Sequence, residues 1–312
     1  MVPHPAVVRT AELMERGTDS HELAREVREG RRARLRRGVL TPGPMPADDQ
    51  RMRITRAAGA LALVPDATVS HAAAAAVHGL PVWQEPLVVC VTRSDDRGNR
   101  RAPDPARVHV HTARLDRPAV TWVDGLPVTC ASRTVCDLAR TLPGPEALVV
   151  ADAALRAGLV AEAGLVAVLA GQRRWPGVRS AARVVAMASP FAESPLDSLV
   201  RGVLVLVGGL PPPVLQHPVR GASGRRYRVD LCWPDHGTVV EVDGRVKYED
   251  PLTGSATRAF WAEKRREDDI REGGWDVVRA VAADVVPHPG ALVARVEAAF
   301  ARAAHRSTGS TL

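Results

Sequence analysis

The sequence has few aromatic residues. Phe, Trp and Tyr make up 4% of its 312 residues, so any core must be assembled mainly from Ala, Val and Leu. Its cysteines are Cys90, Cys130, Cys136 and Cys232, and no two have CxxC spacing. Neither a structural zinc site nor a thioredoxin-like motif is therefore indicated. Isolated cysteines suit a reducing compartment and a buried, apolar role. The opening "MVPHPAVVRTAELMERG" has no apolar core of the kind a signal peptide needs. The most apolar stretch, "ALVVADAALRAGLVAEAGLVAVLAG" (147–171), is interrupted by Asp152, Arg156 and Glu162. Charges at those depths predict packed helices and no membrane span. There is no GxxxxGK[ST] loop and no glycine-rich strand–helix fingerprint, so a nucleotide-modifying enzyme has no support. These absences together predict a soluble, cytoplasmic protein.

The charges and the chain length point further. Lys and Arg number 42 against 35 Asp and Glu, a net charge of +7. That balance favours an anionic partner, nucleic acid first among them. The length suits two ordinary domains or three small ones. In the first segment, a helix around 7–16 ends near Gly17, and Asp19 or Ser20 then caps a second helix, "HELAREVREG". "RARLRRGVLTPG" follows as a short basic strand. Helix, turn, helix and basic strand is the layout of a small winged-helix unit. Its run Arg31, Arg32, Arg34, Arg36 and Arg37 suits contact with a nucleic-acid backbone, or else a solvated charged edge.

"RMRITRAAGALALVP" reads as a helix, and so does "SHAAAAAVHGLP", with Ser70 at its N-cap and Gly79 at its C-cap. His71 and His78 on that helix suit capping and packing better than ligand binding. "LVVCVTR", "RVHVHTA" and "GLPVTCASRTVCDLAR" read as strands, with His109 and His111 on one face of the second. From Pro145 to about Ala170 the spacing is helical. A Pro/Ser-bounded link near 188 separates this part from a final α-β-β-α-β-α segment.

That last segment carries the chemistry. In "RVDLCWPDHGTVVEVDG" the turn "PDHG" joins two strands, and pairing Trp233 with Thr238 fixes the register. Asp230 then faces Glu241, and Asp243 shares their side of the sheet. Opposed residues have Cβ atoms roughly 4.5–5.5 Å apart, where like charges repel. A divalent cation such as Mg²⁺, which prefers hard carboxylate oxygens, would relieve that repulsion. A salt-bridged exposed face with Arg226 and Arg228 is the alternative.

The stretches "AESPLDSLVR", "RVDLCWPDHGTVVEVDGRVKY", "EKRREDDIREGGWDVVR" and "AADV", spanning about 192 to 285, resemble the PD-(D/E)xK nuclease superfamily. The similarity is to its branch related to very-short-patch-repair endonucleases. The N-terminal part, with "RLRRGVL", "VSHAAAAAVHGLP", "VTR" and "GLPVTCASRTVCDLAR", resembles the AbiEi-type antitoxin domain. The first resemblance implies that Asp230 and Glu241 hold Mg²⁺ (or Mn²⁺) against a scissile phosphate. It also implies that an acid of the leading helix, Asp197 or Glu193, completes the metal site. Where the superfamily's lysine usually stands, two residues after the Glu, this chain has Asp243. Lys247 and Lys264 are the candidates for a displaced catalytic lysine.

The expected fold class is α/β (α+β). A winged-helix region spans 1–55 and a mixed α/β antitoxin-like region 56–188. A restriction-endonuclease-like mixed sheet flanked by helices spans 189–312. Two functions follow from the resemblances. One is a DNA-binding protein with a Mg²⁺-dependent endonuclease-like domain. The other is a non-enzymatic antitoxin-like regulator of transcription, with a degenerate nuclease domain and a cognate toxin as partner.

Overall fold

The computed structural model describes residues 6–64, 66–84, 88–94, 107–244, 254–285 and 289–309, with backbone alone for 254–260 and 307–309. The architecture is mixed α/β, with several β-sheets flanked by helices. The chain divides into two compact units. The first comprises Met1–Thr141 and Gly158–Ala182, and the second Leu142–Ala157 and Arg183–Leu312. Among the described residues no helix is long and apolar enough to cross a membrane.

The first unit opens with β1 (Val8–Arg9), α1 (Thr10–Glu15), α2 (Ser20–Arg28), β2 (Arg34–Arg36) and β3 (Val39–Leu40). The three strands form an antiparallel sheet in the order β1-β3-β2. Asp19 caps α2 by accepting the Glu22 N–H at 2.8 Å. Leu13, Leu23 and Leu40 close a small core beneath these elements.

α3 (Asp49–Leu63), β4 (Thr68–Val69), α4 (His71–Val77), β5 (Val89–Arg93), β6 (Val108–Thr112), β7 (Val120–Val123) and β8 (Leu126–Thr129) follow. The strands form a five-stranded sheet ordered β6-β5-β4-β8-β7. Its core is built of Ala, Val and Leu, as the scarcity of aromatics requires. One expectation fails here. "GLPVTCASRTVCDLAR" is not a strand throughout, because only β8 is extended and α5 (Ala131–Thr141) takes the rest. Val135, Leu138 and Ala139 recur at helical spacing and are buried on one side of α5.

α6 (Gly144–Arg156) belongs to the second unit, α7 (Glu162–Gly171) to the first, and α8 (Val178–Met187) runs across the division. Within the second unit α6 packs on α9 (Pro195–Gly202) at very short range. A Cβ on Gly202 would lie 2.6 Å from Pro145 Cα. Arg201 and Asp152 meet between these helices, where Nη2 donates to Oδ1 at 2.8 Å and to Oδ2 at 2.7 Å. The Ser189 N–H also donates to Asp152 Oδ1, and Arg201 Nη1 donates to Met187 O.

The rest of the unit is β9 (Val214–Arg220), β10 (Arg226–Trp233), β11 (Thr238–Asp243), α10 (Gly254–Glu272), β12 (Asp276–Val281), α11 (Ala282–Val285) and α12 (Pro289–Gly309). The sheet order is β12-β11-β10-β9, with β12 parallel to β11 and the other pairs antiparallel. The expected α-β-β-α-β-α order therefore lacks one strand, β9. Its sequence "VLQHPVR" contains Pro218, which cannot donate to a ladder and reads against a strand. At a sheet edge that defect is tolerated, and β9 is an edge strand.

The Asp152–Arg201 pair is the most completely buried ion pair of the second unit, with the aspartate wholly inaccessible. Asp152→Ala strands the guanidinium without its counter-charge, so a loss of about 3–5 kcal/mol is expected. Urea unfolding followed by circular dichroism measures it. A loss near the roughly 0–1 kcal/mol of a surface pair would contradict this account.

Candidate functional site

The β10–β11 turn sets the site. Pro234–His236 form one 3₁₀ turn, and Gly237 at φ +52° reverses the chain in the left-handed region that glycine tolerates best. The ladder that follows pairs Trp233 with Thr238, Cys232 with Val239 and Leu231 with Val240, which is the register inferred from the sequence. Beyond Leu231 a side chain takes over from the ladder. Asp230 Oδ2 accepts the Val242 N–H at 2.8 Å. The aspartate is thus tied to the strand that bears Glu241 and Asp243.

Glu241 is 8% exposed and is met from α10. Cys232 and Val239 pack with Ile270. Arg266, one turn earlier on the same helix face, reaches the carboxylate. Arg266 Nη1 donates to Glu241 Oε2 at 2.8 Å and to Glu263 Oε1 at 3.0 Å. Nη2 lies 2.8 Å from Glu241 Oε1 but directs its hydrogen bond to Arg228 O. Both oxygens of Glu241 thus lie 2.8 Å from guanidinium nitrogens, Oε1 in a buried ion-pair contact whose geometry falls short of a hydrogen bond. Burial pushes the Glu241 carboxyl above its usual range against the pull of Arg266, and the charges of Glu263 and Asp230 add to the rise.

Asp197 is 7% exposed and forms a capping box with Ser194 at the start of α9. Its Oδ2 accepts the N–H groups of Glu193 and Ser194, and its Oδ1 accepts Ser194 Oγ–H. Burial raises its carboxyl above the ordinary value, and the negative charge of Asp230 raises it further. Asp230 thus acts electrostatically on both Asp197 and Glu241, two of the other acids singled out in the sequence.

The remaining sequence candidates lie elsewhere. Glu193 is exposed and pairs with Arg228 at 2.9 Å. Lys264 is exposed, with its ammonium 5.5 Å from the centre of the Trp261 ring. Asp243 is half-buried at the end of β11. Lys247 falls outside the described residues. In the first unit, Arg31 pairs with Glu29 and Arg32 with Glu26 at 2.6 Å. Arg36 is buried and donates to Arg56 O. Arg34 and Arg37 are exposed.

Two further residues of the site carry no signal in the sequence. Arg266 lies in "EKRREDDIREGG", where any of several basic residues fits the helix, and only packing singles it out. Gln216 donates from Nε2 to Asp230 Oδ1 at 3.3 Å. It does so from a backbone at φ +52°, in the edge strand that Pro218 conceals. Among the described residues no group of three or more His, Cys, Asp or Glu is close enough to hold a metal ion by itself.

No protein-family model matches the chain. It is similar to two proteins of Mycobacterium tuberculosis: "Uncharacterized protein MT2308" of strain CDC 1551 / Oshkosh and "Uncharacterized protein Rv2248" of strain ATCC 25618 / H37Rv. Each is 34% identical over 184 residues, 59% of this chain and 64% of the relative. The match thus spans less than two thirds of those relatives. The crystal structure of the RV2827C protein from Mycobacterium tuberculosis aligns with a TM-score of 0.37 and 20% identity. That alignment covers 69% of this chain and 84% of the other.

A non-glycine residue at positive φ stores about 1–2 kcal/mol of strain. Gln216→Gly is therefore expected to unfold no earlier than wild type, although it removes the hydrogen bond to Asp230. Thermal unfolding decides this, and clear destabilisation would show that the hydrogen bond outweighs the strain.

Proposed function

We propose that the second unit is a metal-dependent endonuclease-like domain that hydrolyses DNA phosphodiesters, and that the first unit contributes nucleic-acid binding. The reading rests on one observation: Asp230 accepts the Val242 N–H and is so tied to the strand that bears the buried carboxylate Glu241. The donor set suits a hard divalent cation, since it consists of carboxylate oxygens. Asp230 and Glu241 would hold Mg²⁺ or Mn²⁺, Glu241 on release from Arg266, with Asp197 or Glu193 as the third acid on release from the capping box or from Arg228. When bound, the cation supplies Lewis-acid polarisation of the phosphoryl oxygen and a lowered pKa for attacking water.

The protein's own groups have separate tasks. Asp230 stays oriented because one oxygen is fixed on the Val242 N–H. Gln216, on the other oxygen, is a positioning residue. Arg266 neutralises Glu241 and competes with any cation for it. Its planar fork also matches a phosphate. This reading keeps the similarity to very-short-patch-repair endonucleases. Lys247 and Lys264 remain the candidates for the lysine that Asp243 displaces. In the first unit the helix-rich start and its basic hairpin support a winged-helix-like module. Arg34 and Arg37 are the exposed members of its arginine run that have no carboxylate partner among the described residues.

A second reading has its own support. Arg266 already occupies Glu241, and an acid stands at the lysine position. Both features suit a nuclease-like fold kept for binding in an antitoxin-like regulator with a toxin partner.

The test incubates the purified chain with linear and supercoiled DNA in Mg²⁺, in Mn²⁺ and in EDTA. Metal-dependent cleavage is expected. In Asp230→Ala and Glu241→Ala it should fall by at least about 100-fold, the scale on which even outer-shell changes alter metal affinity or activity. Salt-sensitive DNA binding with no cleavage in either metal would favour the regulator. In both readings, Arg34→Ala with Arg37→Ala should flatten the salt dependence of DNA binding, by a slope of about 1 for each phosphate no longer neutralised. An unchanged slope would remove this hairpin from the interface.

A further inference from the structure

The first unit contains a cavity of about 360 Å³ that no part of the proposed function uses. Its walls include Arg133, Arg140, Arg174, Trp175, His71 and His111, and among the described residues no acid lines it. The volume lies at the small end of the range of ligand sites.

Two arginines are built into the wall. Asp137, wholly buried on α5, accepts Arg133 Nε at 2.7 Å and Arg140 Nη2 at 2.9 Å. Gln172 Nε2 supports the same carboxylate at 3.2 Å. The two guanidinium groups lie over the Trp175 ring, each 4.8 Å from its centre. Their side chains are only 7% and 9% exposed. Arg140 Nε is nevertheless buried with no acceptor among the described residues.

His71 and His111 form another part of the wall. Thr92 Oγ1 donates to Ser70 Oγ at 2.8 Å, and Ser70 Oγ lies 3.0 Å from His71 Nδ1. With Ser70 already accepting from Thr92, its own proton is free to go to Nδ1. His71 Nε2 is buried and has no partner among the described residues. The His71 ring stacks on His111 with centroids 3.8 Å apart. Burial lowers the pKa of His71 to about 4 and that of His111 to about 3, so both rings are neutral near pH 7. His71 holds this place from a backbone at φ +53°. Non-glycine strain of this kind clusters at ligand sites.

We infer that this cavity binds the phosphate group of a small phosphomonoester. Three guanidinium groups, of Arg133, Arg140 and Arg174, line the cavity; Arg133 Nη1 and Arg140 Nη1 are engaged by Arg114 O and Pro176 O, which fixes the two forks and leaves a surplus of positive charge at the wall. A phosphate offers three terminal oxygens, and Arg forks match it in planar pairs. Asp137 already fills the carboxylate-sized position on the inner edges of Arg133 and Arg140, and it keeps both side chains ordered for a ligand on the other side. Arg174, which is exposed, adds the third positive charge.

Titration calorimetry of the full chain in EDTA tests this, with inorganic phosphate and adenosine monophosphate as probes at ionic strength matched with chloride. EDTA keeps divalent cations from recruiting phosphate to the acidic site of the second unit. Saturable binding of phosphate or the monophosphate is expected. Arg174→Ala should weaken it by about 10–100-fold, equivalent to one charge-assisted hydrogen bond. Arg140→Lys, which keeps the charge and removes the fork, should weaken it too. Circular dichroism establishes that each variant is folded. No binding of either probe to wild type overturns the inference, as does affinity unchanged in Arg174→Ala. Citrate binding as tightly as phosphate overturns the assignment to phosphate.

Discussion

A carboxylate in the interior of a protein must be held against a positive charge, because desolvating it alone costs several kcal/mol. Both units are arranged around that requirement. Asp137 draws in two arginines of its own helix. Asp152 ties α6 to α9 through Arg201. Glu241, in an inner strand of its sheet, requires Arg266, and this sets how α10 lies on the sheet. Ile270 fills the apolar surface of Cys232 and Val239, and Arg266, four residues earlier, lands on the acid. Apolar packing supplies the stability in each case, while the ion pair selects which rotation of the helix is allowed.

The three pairs differ in what they leave over. Asp152 has both oxygens engaged by Arg201 and a further donor from the Ser189 backbone. Glu241 keeps one buried oxygen in an ion-pair contact with Arg266 whose geometry falls short of a hydrogen bond. Around Asp137 the carboxylate is satisfied, and the polar atoms left over are Arg140 Nε and His71 Nε2. An unfilled atom alone does not make a site, since Arg201 Nε also lacks an acceptor among the described residues. What distinguishes Arg140 and His71 is that both line one cavity, with a third arginine. What distinguishes Glu241 is the second and third acid acting on it or on its neighbour.

Local chemistry is legible in the sequence, and contacts between elements are not. The "PDHG" turn determines the β10–β11 register, because a short turn and alternation leave few choices. The cap at Asp19 follows from residue type, whereas Ser70 stands at the start of α4 without a capping hydrogen bond, its hydroxyl engaged with Thr92 and His71 instead. Pro218 hides β9, and with β9 goes Gln216. The segment of α5 reads as extended because "PVTC" before it is a strand, so nothing in that reading puts Arg133, Asp137 and Arg140 on one helix face. His71 and His78 look like a pair in the sequence because they lie on one helix. In the structure His78 binds Thr129 O at 2.8 Å, whereas His71 stacks on His111 of β6. Periodicity assigns faces within an element but does not say which faces meet.

The net charge of +7 is a poor guide to either site. In the arginine run of the first unit, Arg31 and Arg32 are cancelled by Glu29 and Glu26, and Arg36 is turned inward. Arg31, Arg34 and Arg37 of that run remain exposed, Arg31 in its pair with Glu29. The candidate site of the second unit has the opposite sign, with Asp197, Asp230 and Glu241 against one Arg266. A bulk excess of arginine therefore draws polyanions toward the chain through long-range attraction, which salt screens. Selection happens over a few ångströms. There the acids near the end of β11 and the arginines of the first-unit cavity set local fields of opposite sign. Burial keeps each field from being averaged away by the surrounding charge, because buried charges are screened far less than exposed ones.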